Sequence, residues 1–262
     1  MNIQKRVYEH YQYVDNYNYT RFFTALQGSQ NYGLADDESD IDTKTLIIPN
    51  YKELVFNAKP VSSTIIVEPT TEHADVKDIR LMFDTFRKQN INFLEILFTP
   101  YVVVTGGYKI YYHSLWNKRE DIAHLNPYRN LSSMVGHMYE KYKKFEHPFP
   151  SAVSKIEKFG YDPKQLHHMV RIKDFLERFF EKGVSYEEAL THPTDPQKLI
   201  MIKRGLYSYN TAVNIKEETY QWAIEFKEKW SKKLVDQEDA KTNDFMNNLM
   251  YDIIKETHRN EF

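Results

Sequence analysis

The stretch Gly28-Ser29-Gln30-Asn31-Tyr32-Gly33-Leu34, with Glu38-Ser39-Asp40-Ile41-Asp42 just beyond it, decides how this chain is read. It is entered from residues 21–27 (RFFTALQ), an apolar run with strand character that Gly28 ends. It leads into residues 41–48 (IDTKTLII), which alternate and then turn apolar before Pro49. A Gly-Ser pair leaving a strand for a helix offers free backbone N–H groups and a hydroxyl at the positive helix end, a cradle for nucleotide phosphates. The same pair also makes a plain strand-to-helix turn, and by itself it does not separate the two. Residues two apart on a strand share a face, so Asp40 and Asp42 stand side by side. Carboxylates so placed repel, and a hard cation such as Mg2+ between them relieves the repulsion. A solvated acidic turn, the expectation for Asp36, Asp37 and Glu38, is the competing reading. The phosphate cradle followed by paired acids on the next strand is more specific than either half.

Glycine is scarce, with 8 in 262 residues where average usage gives about 18, so Gly28 and Gly33 mark a position. Cysteine is absent, which excludes a disulfide framework and a thiolate-held metal; any metal sits on Asp, Glu or His. The 35 basic and 37 acidic residues argue against a surface that grips nucleic acid everywhere, and a local basic patch remains open. No apolar run approaches the ~20 residues of a membrane span. The beginning, MNIQKRVYEHYQY, has no apolar leader region. The expectation is a cytoplasmic protein without a membrane partner, in a host cytoplasm if viral. The motifs H-E-x-x-H, G-x-x-x-x-G-K-[ST] and G-x-S-x-G do not occur, so those chemistries are out.

Further out, residues 1–15 show a helical period, 62–67 (SSTIIV) and 101–104 read as strands, and 77–89 repeat Ile79, Met82, Phe83 and Phe86 as a helix with one buried stripe. Residues 93–98 continue helically. Beyond Pro127 the spacing predicts helices over 130–145, 163–182, 185–191, 196–206 and 215–234, with Pro163 and Pro196 in first turns and Gly183 as a helix end. The tail 236–262 is weakly amphipathic and reads as a last helix. The architecture expected is α+β, a small mixed-sheet domain over 1–115 followed by a helical domain over 116–262.

The joint pattern resembles the nucleotidyltransferase superfamily of DNA polymerase beta type, and most closely its RNA repair pathway DNA polymerase beta family, typified by YcgL-like predicted nucleotidyltransferases. The form GS-x-x-YG-x-x-x-x-x-SDID is matched by Gly28, Ser29, Tyr32, Gly33, Ser39, Asp40, Ile41 and Asp42. A second segment is matched by Asp75, Val76, Leu81, Asn90 and Leu94-Glu95-Ile96-Leu97-Phe98-Thr99-Pro100. A third, YD-x-K-x-x-x-H-x-x-R, is matched by Tyr161, Asp162, Lys164, His168 and Arg171. Gln30 and Asn31 stand where relatives often carry a basic or small residue, so a cation near the phosphates is missing there or supplied elsewhere.

The resemblance implies a nucleotidyltransferase domain with a third carboxylate on the neighbouring strand. Asp75 is assigned to it, Glu72 and Asp78 are competitors, and a helix-capping role for Asp75 stays open. It implies two Mg2+ ions, or Mn2+, held by Asp40, Asp42 and Asp75, and transfer of an NMP from an NTP such as ATP to a hydroxyl with release of pyrophosphate. The acceptor is an RNA or tRNA 3′ end, with a protein side chain or a small molecule as the alternative and an idle nucleotide-binding domain as a further one. Gly28 and Ser29 are expected at the nucleotide. Lys164, His168 and Arg171 share one helix face and are expected there too, solvation being the alternative. The run Lys141-Tyr142-Lys143-Lys144-Phe145 reads as a surface helix end in preference to a stacking platform for nucleic acid.

Overall fold

The computed structural model describes residues 2–35 and 39–259 of the chain. Asp36, Asp37 and Glu38, expected as a solvated turn, lie outside the described residues, as do Met1 and residues 260–262. The fold is α+β and divides into two compact units. The first comprises Met1–Asn31, Ala35–Asn126 and Glu238–Phe262; the second comprises Tyr32–Leu34 and Pro127–Gln237. No helix among the described residues is long and apolar enough to cross a membrane.

The first unit is built on five strands, β1 (Thr20–Gln27), β2 (Asp42–Ile48), β3 (Ser62–Val67), β4 (Glu72–Asp78) and β5 (Val102–Val104), in the order β3-β4-β2-β1-β5. β2 and β4 run parallel; the other neighbours are antiparallel. β1 and β2 are buried along nearly their whole length, which is why RFFTALQ and TLII read as continuous apolar runs and not as alternation. Helix α1 (Ile3–Asp15), capped by Asn2, lays Val7, His10 and Val14 on one face of the sheet, against Leu26, Ile41, Ile47, Ile65, Ala74 and Val76. Each of the Val, Leu and Ile side chains among them contributes about 1.5–3 kcal/mol when fully buried.

After β2 come α2 (Tyr51–Val55), α3 (Ile79–Arg87), α4 (Ile91–Leu94), α5 (Lys109–Asn117) and α6 (Arg119–Ala123). The helix read over 77–89 starts two residues later, because Lys77 and Asp78 are the end of β4, paired with Leu46 and Ile47. Asp78 is the cap, its Oδ1 accepting the Arg80 N–H at 2.8 Å. Residues 72–78 (EHADVKD) carry only Ala74 and Val76 as apolar signal, and the strand shows itself through pairing on both sides, with β2 and β3.

The second unit is helical: α7 (Pro127–Lys144), α8 (Val153–Phe159), α9 (Pro163–Leu176), α10 (Tyr186–Thr191), α11 (Pro196–Lys203) and α12 (Tyr209–Ser231). Pro163 and Pro196 open their helices, and α9 continues as a π-helical turn that Gly183 ends at φ +66°. Phe145, Tyr161, Leu166, Ile202 and Ala212 form its buried cluster. The last helix, α13 (Ala240–Thr257), belongs to the first unit. Arg87 reaches it at Asn243 and Asn247, Tyr108 at Thr257, and the His258 ring just beyond it donates to the Pro49 carbonyl at 3.0 Å.

Candidate active site

The sheet register places Gln27 of β1 opposite Asp42 of β2, so the Gly28-Ser29 turn and the Asp-x-Asp segment lie at one end of the sheet. Gly28 leaves β1 at φ +91°, and a Cβ there would meet nothing within 4 Å; the backbone angle alone requires glycine. Ser29–Tyr32 follow as a 3-10 turn. Asn31 is a strut of that turn, its amide donating to the Leu26 carbonyl at 3.1 Å and its Oδ1 accepting the Thr99 hydroxyl at 2.7 Å. Ile41 is buried with Val7 and Leu26 under α1; Asp42 begins β2 on the opposite face, and Asp40 lies two residues ahead of the strand. Asp40 is exposed; Asp42 opens β2, and its Oδ1 accepts the His73 backbone N–H at 3.3 Å and stands 3.5 Å from His73 Nδ1.

Side chains at alternate positions share this face: Gln27 on β1, Asp42 and Lys44 on β2, and His73, Asp75 and Lys77 on β4. Lys44 is 4% exposed, and its Nζ donates to Asp75 Oδ2 at 3.0 Å and to Gln27. Asp75 Oδ1 accepts the Thr64 hydroxyl at 2.6 Å. Burial would raise the Asp75 pKa, but the Lys44 charge and these hydrogen bonds outweigh it and hold the carboxyl below its ordinary value. Asp75 is thus a strand residue that caps no helix, and its two oxygens are already engaged.

Of its competitors, Asp78 is the cap of α3 and pairs with Arg80 at 2.7 Å. Glu72 is on the α1 face. Its Oε1 accepts the Ile41 backbone N–H at 3.3 Å, and its Oε2 meets His10 Nε2 at 3.0 Å, the Thr70 hydroxyl at 3.1 Å and the Arg6 guanidinium. His10 is fully buried, its Nδ1 3.0 Å from the Thr43 hydroxyl. A buried network therefore holds the central residue of Asp40-Ile41-Asp42 from behind. From sequence Glu72 reads only as a competing acid and Arg6 and His10 not at all, because nothing in the spacing of residues 10, 41 and 72 announces that they meet.

Two neighbouring carboxylates fit a hard cation of the Mg2+ kind, which takes one or two carboxylates and fills its shell with water and phosphate oxygens. Among the described residues no group of three or more His, Asp or Glu is arranged to hold a metal. The structure brings Asp75 to Lys44, and does not gather it with Asp40 and Asp42 as a third ligand.

In the second unit, Lys164 is exposed, His168 lies between, and Arg171 is 7% exposed with its guanidinium 4.3 Å over the Tyr32 ring. Helix α7 brings further basic groups near these three. His137 feels Lys141, Arg171 and Lys144, and Lys141 feels Lys164, so the basic groups of the two helices form one cluster, with Glu140 and Asp162 as its acids. His137, four residues before Lys141, is the member that spacing could have shown. Among the described residues His168 Nδ1 is buried with no hydrogen-bond partner. Tyr142 and Tyr139 stack on Tyr220 and Phe145 is fully buried, so the aromatics of that lysine-rich run are spent on packing.

Burial, reinforced by the surrounding cations, lowers the pKa of His137 to about 4 and that of His168 well below 6.5; burial also lowers His167 to about 4, against the bond its Nδ1 donates to the Leu199 carbonyl. The unfolded chain takes up these protons below pH 6.5 and the native one does not until much lower. Stability is therefore full above 6.5 and falls with pH by up to about 1.4 kcal/mol per unit for each histidine. Denaturant midpoints should drop steadily from pH 6.5 toward 4, and His167→Gln should flatten the slope; a flat wild-type profile would contradict neutral histidines.

A model of the RNA repair pathway DNA polymerase beta family matches residues 3–245. Among solved structures the chain is similar to a nucleotidyltransferase-like protein from Exiguobacterium sibiricum, 11% identical, over 98% of this chain and 78% of that one, with a TM-score of 0.31. No curated protein matches.

Proposed function

The chain belongs to the RNA repair pathway DNA polymerase beta family, and we propose that it is a Mg2+-dependent nucleotidyltransferase that moves an NMP from an NTP to a hydroxyl of an RNA or tRNA end. The observation that carries this is the sheet end where Gln27, just before the Gly28-Ser29 turn, pairs with Asp42, with the exposed Asp40 two residues ahead and Ile41 buried between the two acids. Asp40 and Asp42 would hold the ion, which supplies charge neutralisation and a more acidic acceptor hydroxyl. The backbone N–H groups after Gly28 and the Ser29 hydroxyl face the phosphates. Asp75 acts through Lys44, fixing that ammonium on the same face. Lys164, His168 and Arg171 are proposed for phosphate on their own helix, in the second unit. The acceptor oxygen bonds to the α-phosphorus, the bond to the bridging oxygen breaks, pyrophosphate leaves, and the hydroxyl proton passes to solvent.

Purified protein with each labelled NTP, Mg2+ and total RNA should label the RNA, and Asp40→Ala should not. Label appearing only with a protein mixture moves the acceptor to a side chain. Nucleotide binding with no pyrophosphate released from any acceptor removes the transferase reading.

A further inference from the structure

Lys77 is half-buried on the sheet face that carries Asp42, Lys44 and Asp75, and its Nζ lies 4.4 Å from the centroid of the Phe93 ring. Lys44 Nζ lies 4.6 Å from the same centroid. The two ammoniums are thus gathered on one aromatic ring. Lys44 is answered by Asp75 at 3.0 Å. Among the described residues no carboxylate lies within ion-pair distance of Lys77. Its pKa is lowered, first by burial and then by the Lys44 charge, with Asp75 opposing and Lys88 adding a further repulsion. Among the described residues Lys44 and Lys77 thus share Phe93 with Asp75 as the one ion-paired carboxylate, and the Lys77 charge is left unanswered in a half-dry site. A neighbouring anion would relieve that charge, and the Phe93 ring accounts for part of it only.

We propose that Lys44 and Lys77, gathered on Phe93, form a binding site for the phosphate chain of a nucleoside triphosphate. The register supports that ligand. Asp42, Lys44 and the Leu46 row, where Lys77 stands, follow one another along β2 in steps of about 7 Å. Asp42, Lys44 and Lys77 therefore follow one another in that order along the sheet, with the acids at the Gly28-Ser29 end. A polyphosphate laid along it meets a metal-holding end and two cations. This also supplies the positive charge that Gln30 and Asn31 do not provide after Gly28-Ser29. The choice of ligand rests on the nucleotidyl-transfer reading; the unanswered charge does not.

Inorganic tripolyphosphate, without metal, is the direct probe, titrated by calorimetry into wild type, Lys77→Met and Lys77→Arg. Methionine keeps an apolar stem against Phe93, so an unchanged thermal midpoint confirms the fold. The expected result is binding roughly tenfold weaker in Lys77→Met, the loss of one charged hydrogen bond, and near wild type in Lys77→Arg. Equal tripolyphosphate affinity in wild type and Lys77→Met overturns the site. So does a loss confined to a single-stranded RNA oligonucleotide, which would assign the lysines to a nucleic-acid strand. Lys77-dependent tripolyphosphate binding in a protein that transfers no NMP keeps this site and removes the transferase reading. Transfer that needs Asp40, with binding indifferent to Lys77, does the reverse.

Discussion

Replacing Asp42 by Asn should reduce NMP transfer by roughly a thousandfold, with nucleotide binding in the absence of metal little changed. The size follows from the several kcal/mol that a bound metal ion contributes to charge stabilisation in such a reaction, at 1.36 kcal/mol per factor of ten. Asparagine keeps the shape and an oxygen able to accept the His73 backbone N–H, so the strand should not move. The loss should therefore appear in kcat, with the denaturation midpoint unaltered. A variant with transfer within tenfold of wild type would show that Asp42 is a solvated strand end and not a metal ligand. Asp75→Asn is the informative companion. Its oxygens are held by Lys44 and Thr64, so its effect is expected on KM for the triphosphate more than on kcat.

The largest effect on stability is expected at Glu72. Truncation to alanine strands the buried His10 ring and the backbone N–H of Ile41 and takes from Arg6 one of its two carboxylates, Glu9 remaining. Leaving a buried polar group without its partner costs about 1–3 kcal/mol each, so the loss is a large part of the ~5–15 kcal/mol that holds a typical domain together. Urea denaturation should show the midpoint falling with the slope unchanged. His10→Ala should cost less, and the double variant less than the sum, because both act on one network. The pH dependence has a definite sign. Burial raises the Glu72 pKa, but the bonds from His10 and Arg6 outweigh it, so the carboxyl sits below its ordinary value. Burial, against Glu72, holds His10 below its own. Glu72 contributes stability above pH 4.5 that is lost as pH falls through its native pKa. Neutral His10 contributes stability that is full above 6.5 and declines below it. Both losses lie on the acid side. A Glu72→Ala midpoint within about 1 kcal/mol of wild type would mean the network does not secure the strand.

Much of the first unit could be read locally. The apolar runs of β1 and β2, the alternation of β3, the stripe on α3 and the proline-led helices of the second unit depend on residues near one another in the chain. β4 could not be read that way, since two apolar residues in EHADVKD make a weak signal and its strand state is conferred by β2 and β3 on either side. The candidate site divides along the same line. Gly28 announced a turn, and Asp40-Ile41-Asp42 announced two acids flanking a buried residue.

Sequence by itself determined the strand-turn-strand unit, the paired acids and the family, because these reside in residue types at short fixed spacings. Only the tertiary structure decided what Glu72, Asp75 and Asp78 each do. They lie within seven residues on one strand and its end, yet one anchors Ile41 from the α1 face, one holds Lys44 on the opposite face and one caps a helix. It also decided that the last helix belongs with the first unit and that Lys44 and Lys77 share Phe93. Such partnerships depend on which face a side chain takes once strands pair. Pairing is a contest among distant segments for burial and hydrogen bonds, and local spacing carries no record of its outcome.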